Sequence, residues 1–454
     1  PEGARRAEHR SISSPRCGAD VSNRLEAWFD GRHAGQFTEA DDGTVTFDYD
    51  ADAPPTPISL SLPRDGSATK RAPANFLENL LPDHGSTRRR LADAYGAPSS
   101  RTFDLLARAG GDIAGGLILT PEGQPLPAGS AQLRPVLDRD IAARISDIKL
   151  DSDAWAPREF AARFSLAGTQ GKFALARVDG SWFWPNSTVP STHILKPGRP
   201  DLRGIEAAES SALHLALNAG VDAARAAVFE IGDQTALIVE RFDRDLGAGL
   251  LARRRHAEDL AQAFGVASAN KYDVTAKQIA GILTRADPTG RLLRGFLAQL
   301  VLNTVVGNSD AHAKNYSVLL DPDSITMAPM YDVVPLALYP NFDQTLAMQV
   351  GGQALPQAIT PNHWRKLART IGVDEDEITD LVKGVAERVA EHNHAAWDAL
   401  DDDQAAVLRA SINRNTDVAR GVKDRTVIAA GAEQLRRPAG SREGGQFAGK
   451  RNSP

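Results

Sequence analysis

The chain of 454 residues holds one cysteine, Cys17, only three methionines, and 6% aromatic residues. A lone cysteine excludes an intramolecular disulfide framework and a multi-cysteine metal site, and it suits a reducing compartment. No run of eighteen apolar residues occurs, which argues against a membrane-spanning helix. The basic start, PEGARRAEHRSISSPRCGAD, lacks the apolar stretch of a secretory leader. Cytoplasmic residence is therefore the expectation, and the missing initial Met makes a natural start upstream a second one. Positive charge is not in excess either. The 52 Lys and Arg stand against 58 Asp and Glu, a formal net charge of −6, so any association with DNA is expected to run through a partner. No period of 20–50 residues recurs, which excludes solenoids and propellers.

What is present is an ordinary globular composition, 42% hydrophobic and 24% charged, with length enough for two or three cores. Residues 1–21 and 420–454 are rich in Gly, Arg, Pro and Ser, and they read as disordered tails. Residues 22–125 read as a small mixed α/β unit. RLEAWFDGRHAGQF gives two strands turning at Asp30-Gly31, and GTVTFDYD gives a third. Helices follow around NFLENLL and STRRRLADAYG, the second with Ser86 as its cap, and GGDIAGGLILTPEG closes the unit as a turn into a strand. Residues 126–250 are strand-rich (KFALARV, SWFWP, THILKP, AAVFEI, TALIVERF), with one helix, IEAAESSALHLALNAG, ending at Gly220. Residues 251–419 are mainly helical, broken by VGNSDAHAKNYSVLLD. The fold class is α+β.

That break concentrates chemistry. Asp310 and Asn315 have the Asp-x-x-x-x-Asn spacing by which protein kinases place a proton-accepting Asp and a magnesium-binding Asn. A second Asp, Asp332 in PMYDVVP, follows 22 residues later, although Val-Val stands where kinases carry Phe-Gly. Upstream, THILKP ends a strand at Lys196, suited to pair with phosphates, and Glu209 on the next helix is placed to orient it. FSLAGTQGKFAL is a strand–glycine loop–strand whose Gly168 and Gly171 leave backbone amides open to phosphate; its G-x-x-G-K spacing is not that of a Walker loop. LIVERFDR ends a strand between the lobes, where the backbone at Glu240 and Phe242 would meet adenine. Each feature also has a plain reading. Glycine loops mostly mark turns, Lys196 and Glu209 alone read as surface residues, and Asp310 alone reads as a helix cap. Asp332 alone reads as a turn residue before Pro335, and His312 reads as structural. Their order along the chain favours the functional reading.

With these motifs in view, the chain resembles the HipA family of bacterial serine/threonine kinases, the toxins of type II toxin–antitoxin modules. The resemblance spans about residues 22–418 and rests on SLSLP, FLENLLPDHGSTRRRLA, GGDIAGGL, SLAGTQGKFAL, PSTHILKP, ALIVERFDR, AEDLAQAFG with KYD, GNSDAHAKN and YDVVP. It implies a small N-terminal domain packed on a two-lobed kinase-like domain. It further implies Asp310 as the catalytic residue, Asn315 and Asp332 as Mg2+ ligands, and Lys196 as the ATP-phosphate lysine. Glu240, Arg241 and Phe242 would contact adenine. Leu166, Ala167, Gly168, Thr169, Gln170, Gly171 and Lys172 would form the loop over the phosphates. Ser165 would be the autophosphorylated serine, against the plainer reading of a hydroxyl bonded to nearby backbone. Glu209 and His312 would be supporting residues. Two positions depart from the family: Ala208 stands where Asn is common before the helix Glu, and Gly171 where Pro or Glu is common.

The implied partners are a HipB-like helix-turn-helix antitoxin, operator DNA through that antitoxin, and an aminoacyl-tRNA synthetase as protein substrate, with arrest of translation and growth as the outcome. Two other readings compete. One is a catalytically weak co-repressor acting with the antitoxin. The other is a metallohydrolase using Asp310 and His312 as ligands, which leaves Lys196 and the hinge segment without a role.

Overall fold

The computed structural model describes residues 23–127, 130–155, 164–247 and 249–422. Cys17 and the tails expected at 1–21 and 420–454 lie outside them, apart from the last helical turn at Arg420 and the two residues after it.

The chain begins with an antiparallel sheet of β1 (Arg24–Phe29), β2 (Arg32–Glu39), β3 (Val45–Tyr49) and β4 (Ile118–Pro121), in the order β3-β2-β1-β4. Asp30 and Gly31 both take positive φ, 44° and 78°, which is the turn that matches the twist of a two-residue hairpin. Leu25, Ala27 and Phe29 alternate inward and are buried under α1 (Ala72–Glu78), α2 (Gly85–Tyr95) and α3 (Thr102–Ala109). Two details differ from expectation. Ser86 does not cap α2: the helix starts at Gly85 behind His84, and Asp153 draws the hydroxyls of both Ser86 and Thr87. The third helix, α3, was not anticipated; it turns Phe103, Leu105 and Leu106 into the core.

Another unanticipated helix, α4 (Asp138–Leu150), buries Ile141, Ile145 and Ile148 along one stripe. It packs on a five-stranded antiparallel sheet ordered β6-β5-β7-β9-β8. The strands are β5 (Phe173–Val178), β6 (Ser181–Phe183), β7 (His193–Pro197), β8 (Ala226–Ile231) and β9 (Gln234–Glu240). α5 (Ile205–Asn218) lies against β8 and β9, and its exit uses Gly220 at φ 73°. Leu25, Phe76, Leu106, Phe173 and Leu195 belong to one hydrophobic cluster, so the N-terminal unit and this sheet share a core.

The remainder is helical around α8 (Arg291–Val306), with α6 (Leu260–Phe264), α7 (Ala276–Ala286), α9 (Pro361–Ile371), α10 (Glu375–His392) and α11 (Asp402–Arg420). β10 (Arg244–Asp245) pairs with β11 (Arg253–Arg254). A small sheet of β12 (Ala257–Asp259), β13 (Ser317–Asp321) and β14 (Ser324–Met327) faces the cleft between the lobes. α8 ends at Gly307 with φ 72°, and this left-handed stop releases the chain into residues 308–315.

Candidate active site

The cleft is lined by both lobes and by the N-terminal unit, and it gathers nearly every residue the sequence singled out. Lys196 lies near the end of β7, held between β5 and β9, and its Nζ reaches Glu209 Oε1 and Asp332 Oδ1, both at 2.7 Å. Glu209 is therefore no surface residue; it is 1% exposed on the inner face of α5. Burial alone would lower the Lys196 ammonium, but Asp332 and Glu209 outweigh it and hold the group charged, above its ordinary range. Desolvation would raise the Asp332 carboxyl, but Lys196 and then Lys172 outweigh it and keep it ionised.

Asp332 adopts φ 60°, a left-handed conformation uncommon for a residue with a side chain. Its backbone carbonyl accepts from Asn308 Nδ2 at 3.2 Å, and its Oδ2 accepts from Asn315 Nδ2 at 2.8 Å. Asn315 Oδ1 in turn accepts the His312 N–H at 3.1 Å, which fixes the 310–315 turn. The His312 ring is buried, and burial pushes its basicity well below normal, so the imidazole is neutral. It packs edge-on to Tyr272, with centroids 4.9 Å apart, consistent with its structural reading. Tyr272 donates its hydroxyl to Asp310 Oδ1 at 2.7 Å.

The glycine loop is folded over the cleft. Ser165 is 1% exposed, and its hydroxyl donates to Leu80 O at 2.7 Å, so it bonds to backbone 85 residues distant rather than nearby. Leu166, Ala167, Gly168, Thr169 and Gln170 line the cleft, with Gly168 at φ 104°. Lys172 Nζ donates to Ala167 O at 3.0 Å and lies over the Trp155 ring. Burial, and then Lys196, push this lysine down to about 8. Gly171 explains its departure from the family: a Cβ there would come within 2.5 Å of Ile148 on α4.

Past β9, the segment Glu240–Phe242 borders the cleft. The Phe242 ring stacks on Tyr331 with centroids 5.4 Å apart, and Ile194 and Val239 line the same slot. Arg241 differs in kind. Its guanidinium turns away into a buried network, donating to Asp243, to Ser191 Oγ and to Ile113 O, so only its backbone remains for the cleft.

The sequence reading assigned no role to Asp83, Lys271, Tyr272 and Lys314. Asp83 lies largely covered between Lys271 and Lys314, each 2.8 Å away. Burial would raise its carboxyl, but the two lysines hold it far below the carboxylate range. Tyr272 sat in view in the KYD motif, but nothing in its spacing announces contact with Asp310, 38 positions on.

Comparison with known proteins decides the lineage. Residues 164–393 match the family model of the HipA-like C-terminal domain, and residues 25–120 match that of the HipA N-terminal domain. The chain belongs to the HipA family. A kinase candidate of Sinorhizobium fredii, Y4mE, is 36% identical over 384 residues, 81% of this chain and 91% of its own. The serine/threonine-protein kinase toxin HipA of Shewanella oneidensis is 27% identical over 372 residues, 78% of this chain and 84% of that protein. A chain from the solved complex of Shewanella oneidensis HipA, HipB and operator DNA superposes with a TM-score of 0.74 at 26% identity, covering 87% of this chain and 97% of that one. The expected architecture, an N-terminal domain on a kinase-like core, is that of the HipA fold, and the enzyme is a kinase. No helix among the described residues is long and apolar enough to cross a membrane.

Proposed function

We propose that this HipA-family kinase transfers the γ-phosphate of ATP to a protein serine or threonine, with Mg2+, as the toxin of a toxin–antitoxin module. The observation that carries the reading is the continuous contact Glu209–Lys196–Asp332–Asn315, which crosses the cleft and ends in the turn that bears Asp310. Lys196, kept charged and aimed by Glu209, neutralises phosphate oxygens. Asp310 orients the acceptor hydroxyl and takes its proton. Phe242, Tyr331, Ile194 and Val239 flank the adenine, the backbone at Glu240 and Phe242 reads its edge, and Leu166–Lys172 covers the phosphates.

Among the described residues no three His, Cys, Asp or Glu form a metal cage. Mg2+ does not require one, since it takes one or two carboxylates from a protein and the rest of its oxygens from phosphates and water. Asp332 and Asn315, already joined by a hydrogen bond, would hold it. Bound there, the ion would supply neutralisation of the phosphate charge.

Ser165 is the proposed autophosphorylation site. A phosphate on its oxygen removes the donor that bonds Leu80 O and adds close to two negative charges at a buried carbonyl, so the loop must leave. On the family resemblance, the protein substrate is an aminoacyl-tRNA synthetase. The HipA–HipB–operator neighbour supports a HipB-like helix-turn-helix antitoxin that carries the chain to operator DNA.

The test is mass spectrometry of the purified chain after incubation with magnesium-ATP, beside Asp310→Asn. Phosphate on Ser165 only in the parent supports transfer and self-modification together. A folded, initially unphosphorylated parent that gains none, and modifies no synthetase added to it, overturns the reading and favours the co-repressor.

A further inference from the structure

The segment 80–83, between α1 and α2, belongs to the N-terminal unit, yet it bonds to both lobes. On one side, Leu80 O accepts from Ser165 Oγ at 2.7 Å, Pro82 pairs with Gly168 as a parallel bridge, and the Asp83 N–H donates to Gly168 O at 3.1 Å. On the other side, the Asp83 carboxylate accepts from Lys271 and Lys314 at 2.8 Å and from Ser268 Oγ at 2.7 Å. Asn75 and Asn79 of the same unit donate to Gly265 O and Val266 O at 2.7 and 2.9 Å.

The two lysines are the supports of the 310–315 turn. Lys314 precedes Asn315 in the chain. Lys271 precedes Tyr272, whose hydroxyl holds Asp310, and the Lys271 carbonyl accepts the Ala313 N–H at 3.2 Å. One aspartate thus grips the loop through its backbone and the turn through its side chain. Its side chain is 12% exposed and each lysine 5%. A charge cluster so desolvated is strongly unfavourable to leave half-formed, so it makes and breaks as a unit.

We propose that Asp83 is a positioning residue that couples closure of the 165–172 loop to alignment of the 310–315 turn, the N-terminal unit acting as a strap across the cleft. The proposal rests on the kinase reading for its consequence, since the strapped loop is the one taken to cover the nucleotide. Its geometry does not need that reading.

Hydrogen exchange of the full chain, without nucleotide, tests it. In Asp83→Asn, peptides covering 164–178 and 308–316 should both exchange about tenfold faster or more, while α10 stays within about twofold of the parent. The KM for ATP should rise by about fivefold or more, with kcat changed less. A purely structural ion pair would lower stability throughout and leave this paired response absent. Loop exchange within about twofold of the parent, or acceleration confined to 308–316, overturns the strap. Should Asp83→Asn fail to fold, Lys271→Met removes one of the two cations that hold the cluster together and should give the same paired response at about threefold; its absence overturns the proposal equally. An inactive parent whose loop still responds to Asp83→Asn refutes the kinase reading and leaves the strap standing. An active parent with an indifferent loop refutes the strap alone.

Discussion

Two buried ionic networks, one in the cleft and one behind the segment Glu240–Phe242, serve opposite ends. Behind the hinge segment, Arg241, Arg244 and Arg254 surround Asp112 and Asp243. Arg241 forks onto Asp243 at 2.9 and 2.6 Å, Arg244 reaches Asp112 at 3.2 Å, and further guanidinium donors find the carbonyls of Ile113, Gly115 and Ser191. Both carboxylates and Arg244 are nearly sealed from solvent, with side chains 0–7% exposed. In the cleft, Lys196 is similarly covered at 10%, but Asp332 is 41% exposed. Both networks desolvate charge. Asp243 also borders the cleft, but it is 7% exposed and saturated by two arginines, whereas the second network leaves an ionised carboxylate open to the space a ligand can enter. Burial of charge thus does not mark function; an open side to a saturated network does.

The largest expected effect sharpens that contrast. Asp332→Asn should lower phosphate transfer by about a thousandfold or more, because it removes the charge that phosphate and metal require, while the melting temperature stays within about 4 °C. A transfer assay beside a thermal melt checks both halves. Asp243→Leu should do the reverse. Stranding Arg241 and Arg244 without their shared carboxylate costs about 3–5 kcal/mol of stability by denaturant titration, with transfer per folded molecule little changed. Loss of transfer at unchanged stability in Asp243→Leu would break the comparison.

The sequence was informative where a residue type is demanded by local geometry. The Asp30-Gly31 hairpin, the exit of α5 at Gly220, and the Asp-x-x-x-x-Asn spacing all depend on near neighbours. The site residues came together because each lies on or just after an element the hydrophobic pattern predicts: Lys196 on β7, Glu209 on α5, Asp310 after α8. Less was legible where partners come from far along the chain. Ser86 looked like a cap, but Asp153 competes for its hydroxyl. Arg241 looked like part of the adenine wall until Asp243 and Ser191 claimed its side chain. α4 is hard to read from sequence although its Ile141, Ile145 and Ile148 have helical spacing, because Pro-rich and charged flanks mask a short stripe. Asp83 could not be read at all, since its meaning lies in two lysines about 190 and 230 residues away.

A smaller effect is expected at Tyr272. Its hydroxyl donates to Asp310, so Tyr272→Phe removes one restraint on that carboxylate and shifts the proposed proton acceptor without touching the nucleotide slot. The kcat should fall about tenfold with the KM for ATP unchanged. A rise in that KM with kcat preserved would assign Tyr272 to nucleotide binding and remove it from the support of Asp310.

The smallest effect concerns how the N-terminal unit docks, and it returns to the difference between closed and open charge. Glu258 on β12 is buried beneath the SLSLP segment, accepting the Leu60 N–H at 2.8 Å and the Ser59 hydroxyl. Burial pushes its carboxyl up to about 8, against the pull of those two bonds, from an ordinary 4.5. Between these values the folded chain holds a proton that the unfolded chain has lost. The contribution is therefore full below about 4.5 and falls away as pH rises toward 8. Unlike Asp243, this carboxyl meets no buried cation among the described residues, so alkaline pH loosens the docking surface while the hinge network holds. Glu258→Gln carries no such proton. Its melting temperature should drop between pH 5.5 and 8.5 by roughly 2–4 °C less than the parent's. Parallel slopes for the two proteins would place the alkaline loss of stability outside this interface.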